Sequence, residues 1–133
     1  MPSLACDCHV HVIGPAQHYP MLAGRQYTPA PASVQSLRDH MAGTGTQRSV
    51  IIQPSFYGTD NSCTLDALDE LQGAGRGVAV VDNSISDTQL RAMNARGMRG
   101  IRLNIESSHH DAPPDLAKSI APWFDRLRPL GWH

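Results

Sequence analysis

Four β-rich segments alternating with four helical patterns predict an α/β chain built on a parallel sheet. The runs at residues 50–52 and 78–81 are almost continuously apolar, as expected of parallel strands covered on both faces. The third observation is positional. His9, His11, Ser55, Asp82, Arg102 and Asn104 all fall at the C-terminal ends of the predicted strands, the face on which barrel enzymes build their active sites. From the residues alone two architectures fit: half of an eight-fold barrel, and a small doubly wound sheet.

The first strand is expected over residues 4–13. Strict alternation would place Leu4, Cys6, Cys8, Val10 and Val12 on one face and Asp7, His9 and His11 on the other. A long Pro- and Gly-rich loop follows, carrying Tyr19, Arg25 and Tyr27. Ser33 is the expected cap of a helix with Val34, Leu37 and Met41 at helical spacing, ended by Gly43 and Gly45. The second strand is expected at 49–53, closed by Pro54, with Gln53 and Ser55 on one face. Leu65, Leu68 and Leu71 then mark a helical stripe, and residues 77–82 a third strand. Ser86-Asp87-Thr88-Gln89 is a capping box, with Ile85 and Leu90 placed for a hydrophobic staple. Gly97 ends that helix, and the fourth strand is expected at 98–105. The last helix is expected to bury Ile120, Phe124 and Leu127, with Pro122 in its first turn.

Composition narrows the function. The 133 residues are 41% hydrophobic and 17% charged with a net charge of −1, which fits a globular domain and gives no electrostatic case for nucleic acid or an anionic membrane. No apolar stretch approaches the roughly 18–20 residues a membrane helix needs, and the N-terminus lacks a signal-peptide pattern, so a cytoplasmic chain is expected. Cys6, Cys8 and Cys63 do not suggest a disulfide framework and read as small apolar fillers.

His9 and His11, neighbours on one strand face, are the first chemical candidates, either as ligands of a zinc-like ion or as general bases. Arg102 and Asn104 share a face of the fourth strand. An arginine aimed inward there needs an anion, either a substrate carboxylate or phosphate, or a structural partner such as Asp82. Ser55 is placed to donate to a substrate oxygen, although it is equally a turn residue. Tyr27 is as readily packing as contact, and His109-His110 reads as solvated surface. No nucleophile elbow or glycine-rich phosphate loop occurs.

Asp7-Cys8-His9-Val10-His11-Val12-Ile13-Gly14-Pro15 resembles the opening strand of the amidohydrolase-related family. Further segments are similar to its pyrone-dicarboxylate lactonase subgroup: Gln26-Tyr27-Thr28-Pro29, Gln53-Pro54-Ser55 with Gly58-Thr59-Asp60-Asn61, Arg76-Gly77-Val78-Ala79-Val80-Val81-Asp82, and Arg99-Gly100-Ile101-Arg102-Leu103-Asn104. The resemblance implies the N-terminal half, (βα)4, of a TIM-type (β/α)8 barrel, one partial domain over residues 1–133 that stops at the start of a fifth strand. It implies hydrolysis of a carboxylated lactone or related cyclic ester or amide. His9 and His11 would be catalytic and metal-binding, and Tyr27, Ser55, Arg102 and Asn104 would bind substrate. The wider family implies a divalent metal such as zinc, and the subgroup implies none. Two departures concern the substrate. Glu106-Ser107-Ser108 replaces a second arginine expected after the fourth strand, and Tyr57 stands where a histidine is expected. The family's later histidines and catalytic aspartate have no counterpart in the chain, which predicts little or no turnover by the chain alone. The exposed edges of a half barrel predict self-association. The rival readings are an inactive truncated remnant, a small anion-binding α/β module without turnover, and a zinc-binding module.

Overall fold

Short strands pair side by side, and amphipathic helices return the chain to the start of the next strand. In the computed structural model, which describes residues 1–103 and 116–133, the strands are β1 (Cys6–Val10), β2 (Arg48–Ile52), β3 (Gly75–Ala79) and β4 (Met98–Ile101). They form one sheet in the order β1-β2-β3-β4, with every pairing parallel. Helices α1 (Val34–Thr44), α2 (Ser62–Glu70), α3 (Asp87–Ala95) and α4 (Leu116–Leu127) follow the strands in turn. A sheet in sequence order with a helix after each strand is the half-barrel arrangement rather than a doubly wound one, whose order reverses part-way.

The core lies between sheet and helices. Ser49, Ile51 and Gln53 point from β2 into it, as do Val34, Leu37 and Met41 of α1 and Cys63, Ala67 and Leu68 of α2. Gly77 permits close packing here: a Cβ on it would come within 2.4 Å of Met98 Sδ and 2.8 Å of Leu68 Cδ1. The capping box at Ser86 and Gln89 forms in full. Ser33 caps α1 by accepting from the Ser36 amide.

Several local expectations are corrected. β1 begins at Cys6 because Leu4 adopts φ 64 and turns the chain. Gly43 lies inside α1, and Gly45, with φ 72, ends it alone. Pro122 sits in the interior of α4, because the helix begins at Leu116. The stripe of α4 is also rotated. Trp123 and Leu127 are buried, Ile120 is half-buried, and Phe124 is 61% exposed. The bulky indole takes the place that spacing alone gave to the phenyl ring. Trp132 packs beside it, and its Nε1–H donates to Asn94 Oδ1 at 2.8 Å.

At the outer edge of β4, the His133 amide donates to the Arg99 carbonyl and the Ile101 amide donates to the His133 carbonyl, each at 3.0 Å. That exchange around Gly100 is the pattern of a parallel bridge. Next to it an apolar groove of about 670 Å³ opens between β4 and α4, lined in part by Ile101, Leu103, Trp123 and Phe124.

Candidate active site

The paired histidines owe their placement to an irregularity in β1. Asp7 pairs with Ser49 and Val10 with Ile51, so β1 carries one extra residue between the two pairs. Such a β-bulge breaks the alternation of faces. Before the bulge Asp7 shares the helix-side face with Ser49; after it, Val10 and Val12 take that face. His9 and His11 therefore open onto the other face, together with Cys6 and Cys8. The expectation that Asp7 shares the histidines' face is corrected. Its carboxylate turns toward α1, with Oδ2 3.4 Å from His40 Nε2, and its Oδ1 accepts from the His9 amide at 3.2 Å.

The two imidazoles meet edge to face, with ring centroids 5.4 Å apart. His11 Nδ1 lies 2.7 Å from the Ile52 carbonyl oxygen. A carbonyl only accepts, so Nδ1 carries the proton and Nε2 presents a lone pair. Arg102 follows β4, its amide donating to the Ala79 carbonyl at 2.8 Å. Its side chain crosses β3, and Nη1 approaches the Gln53 carbonyl at 3.4 Å. The His11 imidazole and the Arg102 guanidinium thus lean on carbonyls of successive residues at the end of β2. Among the described residues no carboxylate pairs with Arg102. Asp82 is occupied in its own turn, where the hydroxyl and then the amide of Ser84 donate to it and hold its carboxyl below the usual range.

The same end of β2 carries the other candidates. Ser55 begins a single 3₁₀ turn, Ser55–Tyr57, and is half-buried. Tyr27 is exposed and stands edge-on to Phe56, with centroids 5.7 Å apart. The Leu22 amide donates to the Phe56 carbonyl at 2.8 Å, fastening the loop after β1 over this turn. A second fastening is Tyr19, whose hydroxyl donates to Asp66 of α2 at 2.9 Å. That hydrogen bond, reinforced by burial, pushes the Tyr19 phenol up to about 12. Asn104 and His109-His110 lie outside the described residues.

The segment is held by a residue whose role sequence reasoning did not assign. Gln53 does not face the rim. Its side chain is fully buried in the helix layer, donating to the Asp60 carbonyl at 2.7 Å and accepting from Thr64 Oγ1 at 2.6 Å. Asn61 continues the lock by bonding the Val80 carbonyl and amide at 2.8 and 3.1 Å. A polar residue between an apolar strand and a proline was the available signal. Tyr57, in place of the expected histidine, is turned into the core. Its hydroxyl has no hydrogen-bond partner among the described residues, and burial raises its phenol.

His9 and His11 alone do not complete a metal centre. Zinc takes three or four protein ligands, and no group of three His, Cys, Asp or Glu residues converges among the described residues.

A family model for amidohydrolases matches residues 6–133. The chain belongs to the amidohydrolase family. It is 39% identical to a 2-pyrone-4,6-dicarboxylate hydrolase of Comamonas testosteroni over 137 aligned positions, covering 100% of this chain and 43% of that protein. It is 32% identical to a 4-sulfomuconolactone hydrolase of Hydrogenophaga intermedia, covering 96% and 40%. In structure it is similar to a probable 2-pyrone-4,6-dicarboxylic acid hydrolase of Acinetobacter baumannii with citric acid bound. The TM-score is 0.85 at 27% identity, over 98% of this chain and 48% of that one. The chain therefore spans about half the length of the relatives it matches. No helix among the described residues is long and apolar enough to cross a membrane.

Two predictions follow from the fastening of the rim. Gln53→Leu leaves the Thr64 hydroxyl and the Asp60 carbonyl without their partner, and should cost about 1–3 kcal/mol or more. Urea denaturation measures it, and a change below about 0.5 kcal/mol, the size of an ordinary surface substitution, would refute the role given to the amide. Tyr19, with its folded pKa raised above the unfolded value of 10.0, contributes stability that is fully present below pH 10 and lost as pH rises through about 12. The tyrosinate absorbance of the native chain should lose its step near 12 in Tyr19→Phe, and the loop over residues 14–32 should become cleavable by protease between those pH values.

Proposed function

We propose that this chain supplies the carboxylate-gripping and carbonyl-polarising half of a hydrolase that adds water to a carboxylated lactone or related cyclic ester. The observation that carries the reading is the convergence of His11 and Arg102 on the carbonyls of Ile52 and Gln53 at one rim of the sheet. The names of the relatives agree with it, since both hydrolyse a lactone or pyrone bearing an anionic group.

Arg102 has the fork to grip a carboxylate bidentately. His9 and His11 would face the acyl carbonyl, with Ser55 and Tyr27 as further donors. Asn104 lies outside the described residues and joins the proposed set on its sequence position alone. In the reaction, water oxygen bonds to the acyl carbon and the ring C–O bond breaks. One water proton ends on the departing oxygen. The described residues supply grip and polarisation, and no base is assigned among them. The alternative reading is an anion-binding module or remnant without turnover.

Titration calorimetry with a pyrone dicarboxylate separates these claims. Arg102→Ala should weaken binding roughly 10- to 100-fold, the worth of a charge-assisted hydrogen-bonded pair. Unchanged affinity would remove the gripping role. Binding without loss of the lactone absorbance would select the module over the hydrolase.

Self-association is part of the proposal. Four parallel strands are half of the eight that close such a barrel. A second copy related by a two-fold axis would cover the apolar groove between β4 and α4, where Leu103 and Phe124 are exposed beside the His133 bridge on the β4 edge. Light scattering should give twice 14.4 kDa for the chain and a lower mass for Phe124→Glu. A monomeric native chain would refute it.

A further inference from the structure

The bulge in β1 has a second consequence besides the placement of the histidines. Cys6 and Cys8 flank Asp7, whose side chain turns to α1, so both thiols stand on the opposite, open face. Both are free; Cys8 is exposed and Cys6 half-buried. The Cys8 sulfur leans back over the Cys6 carbonyl at 3.7 Å, and the Cys6 sulfur lies over the Asp7 carbonyl at 3.6 Å. Arg48 is the ladder partner of Cys6, with its guanidinium donating to the Leu4 carbonyl; burial and the adjacent Cys8 thiol raise the Cys6 thiol. Cys63, in contrast, is 3% exposed within the core.

We infer that Cys6 and Cys8 form a dithiol site for a single soft, thiophilic centre, of which trivalent arsenic is the representative, bound through both sulfurs. The reason is geometric as well as chemical. Residues two apart on a strand have Cα atoms about 6.6 Å apart, near the upper end of the ~4.4–6.8 Å that a disulfide tolerates. A direct S–S bond would be strained, whereas one bridging atom relieves the span. Thiolate pairs select soft centres over the hard and borderline ions that imidazole and carboxylate prefer. The site is therefore distinct in chemistry from the imidazole pair one residue further along the strand, and it does not depend on the hydrolase reading.

Phenylarsine oxide is the probe. Its arsenic forms two As–S bonds, and the two thiol protons leave with its oxygen as one water, so no oxidant or reductant takes part. Intact-mass measurement of the native, fully reduced chain should find one phenylarsenic group per chain with loss of water. The adduct should survive excess monothiol and be removed by 2,3-dimercaptopropanol. Cys6→Ser and Cys8→Ser should each weaken retention at least about 100-fold, the usual gain from two linked contacts, while Cys63→Ala should leave it unchanged. Retention unaltered by Cys8→Ser, or no adduct on native chain whose two accessible thiols are confirmed by a thiol-specific reagent, would overturn the assignment. Thermal melts of the exposed-site variants, expected to match the parent, keep the result separate from misfolding.

Discussion

The candidate site hangs on one buried side-chain amide. Gln53 is enclosed between β2 and α2, where each of its polar atoms must find a partner or cost several kcal/mol. It finds them in Thr64 and in the turn after its own strand, so the path of residues 54–61 is fixed by hydrogen bonds as well as by the packing of Phe56 and Tyr57 in the core. His11, Arg102 and the loop carrying Tyr27 then take their positions from the main chain of that segment. The functional side chains are thus placed indirectly. A strand end that stayed free to move would leave the imidazole and the guanidinium with no common reference.

The bulge in β1 is the second constraint, and it explains what was legible in the sequence and what was not. The order of strands and helices, the parallel sheet, the cap at Ser86 and the rim position of His9, His11, Ser55 and Arg102 follow from periodicity and turn chemistry, and the structure bears them out. The faces of β1 did not follow. Alternation is read with period two, and one inserted residue reverses its phase without any mark in composition. Asp7 was therefore expected beside the histidines, but it lies under α1. Gln53 and Trp123 were misjudged for a related reason. Local pattern ranks a residue by its own polarity or spacing, whereas its position was decided by a partner distant in the chain, Thr64 in one case and the packing around Trp132 in the other. Asn104 lies outside the described residues.

Charge at the rim is arranged in one direction. Several carboxylates of the described residues are already engaged. Asp82 is held by Ser84, Asp7 faces His40, and Asp66 is shared by Tyr19 and Arg96. Each carboxylate is thereby directed toward a local turn, a helix or the loop fastening, and none is spent on Arg102 among the described residues. The Arg102 guanidinium and the His11 ring lean on carbonyls at the end of β2, and the His9 ring meets His11 edge to face.

Among the described residues the Arg102 guanidinium, with five N–H donors, makes one contact of 3.4 Å. On the proposed reading an incoming carboxylate would accept two parallel hydrogen bonds from it, which favours an anion over a neutral ring of the same shape. The same reasoning explains why a second cation need not come from the strand after β4. On the proposed reading, with no carboxylate among the described residues paired to it, Arg102 would select for negative charge, and the remaining groups of the site would decide which ring the anion is attached to.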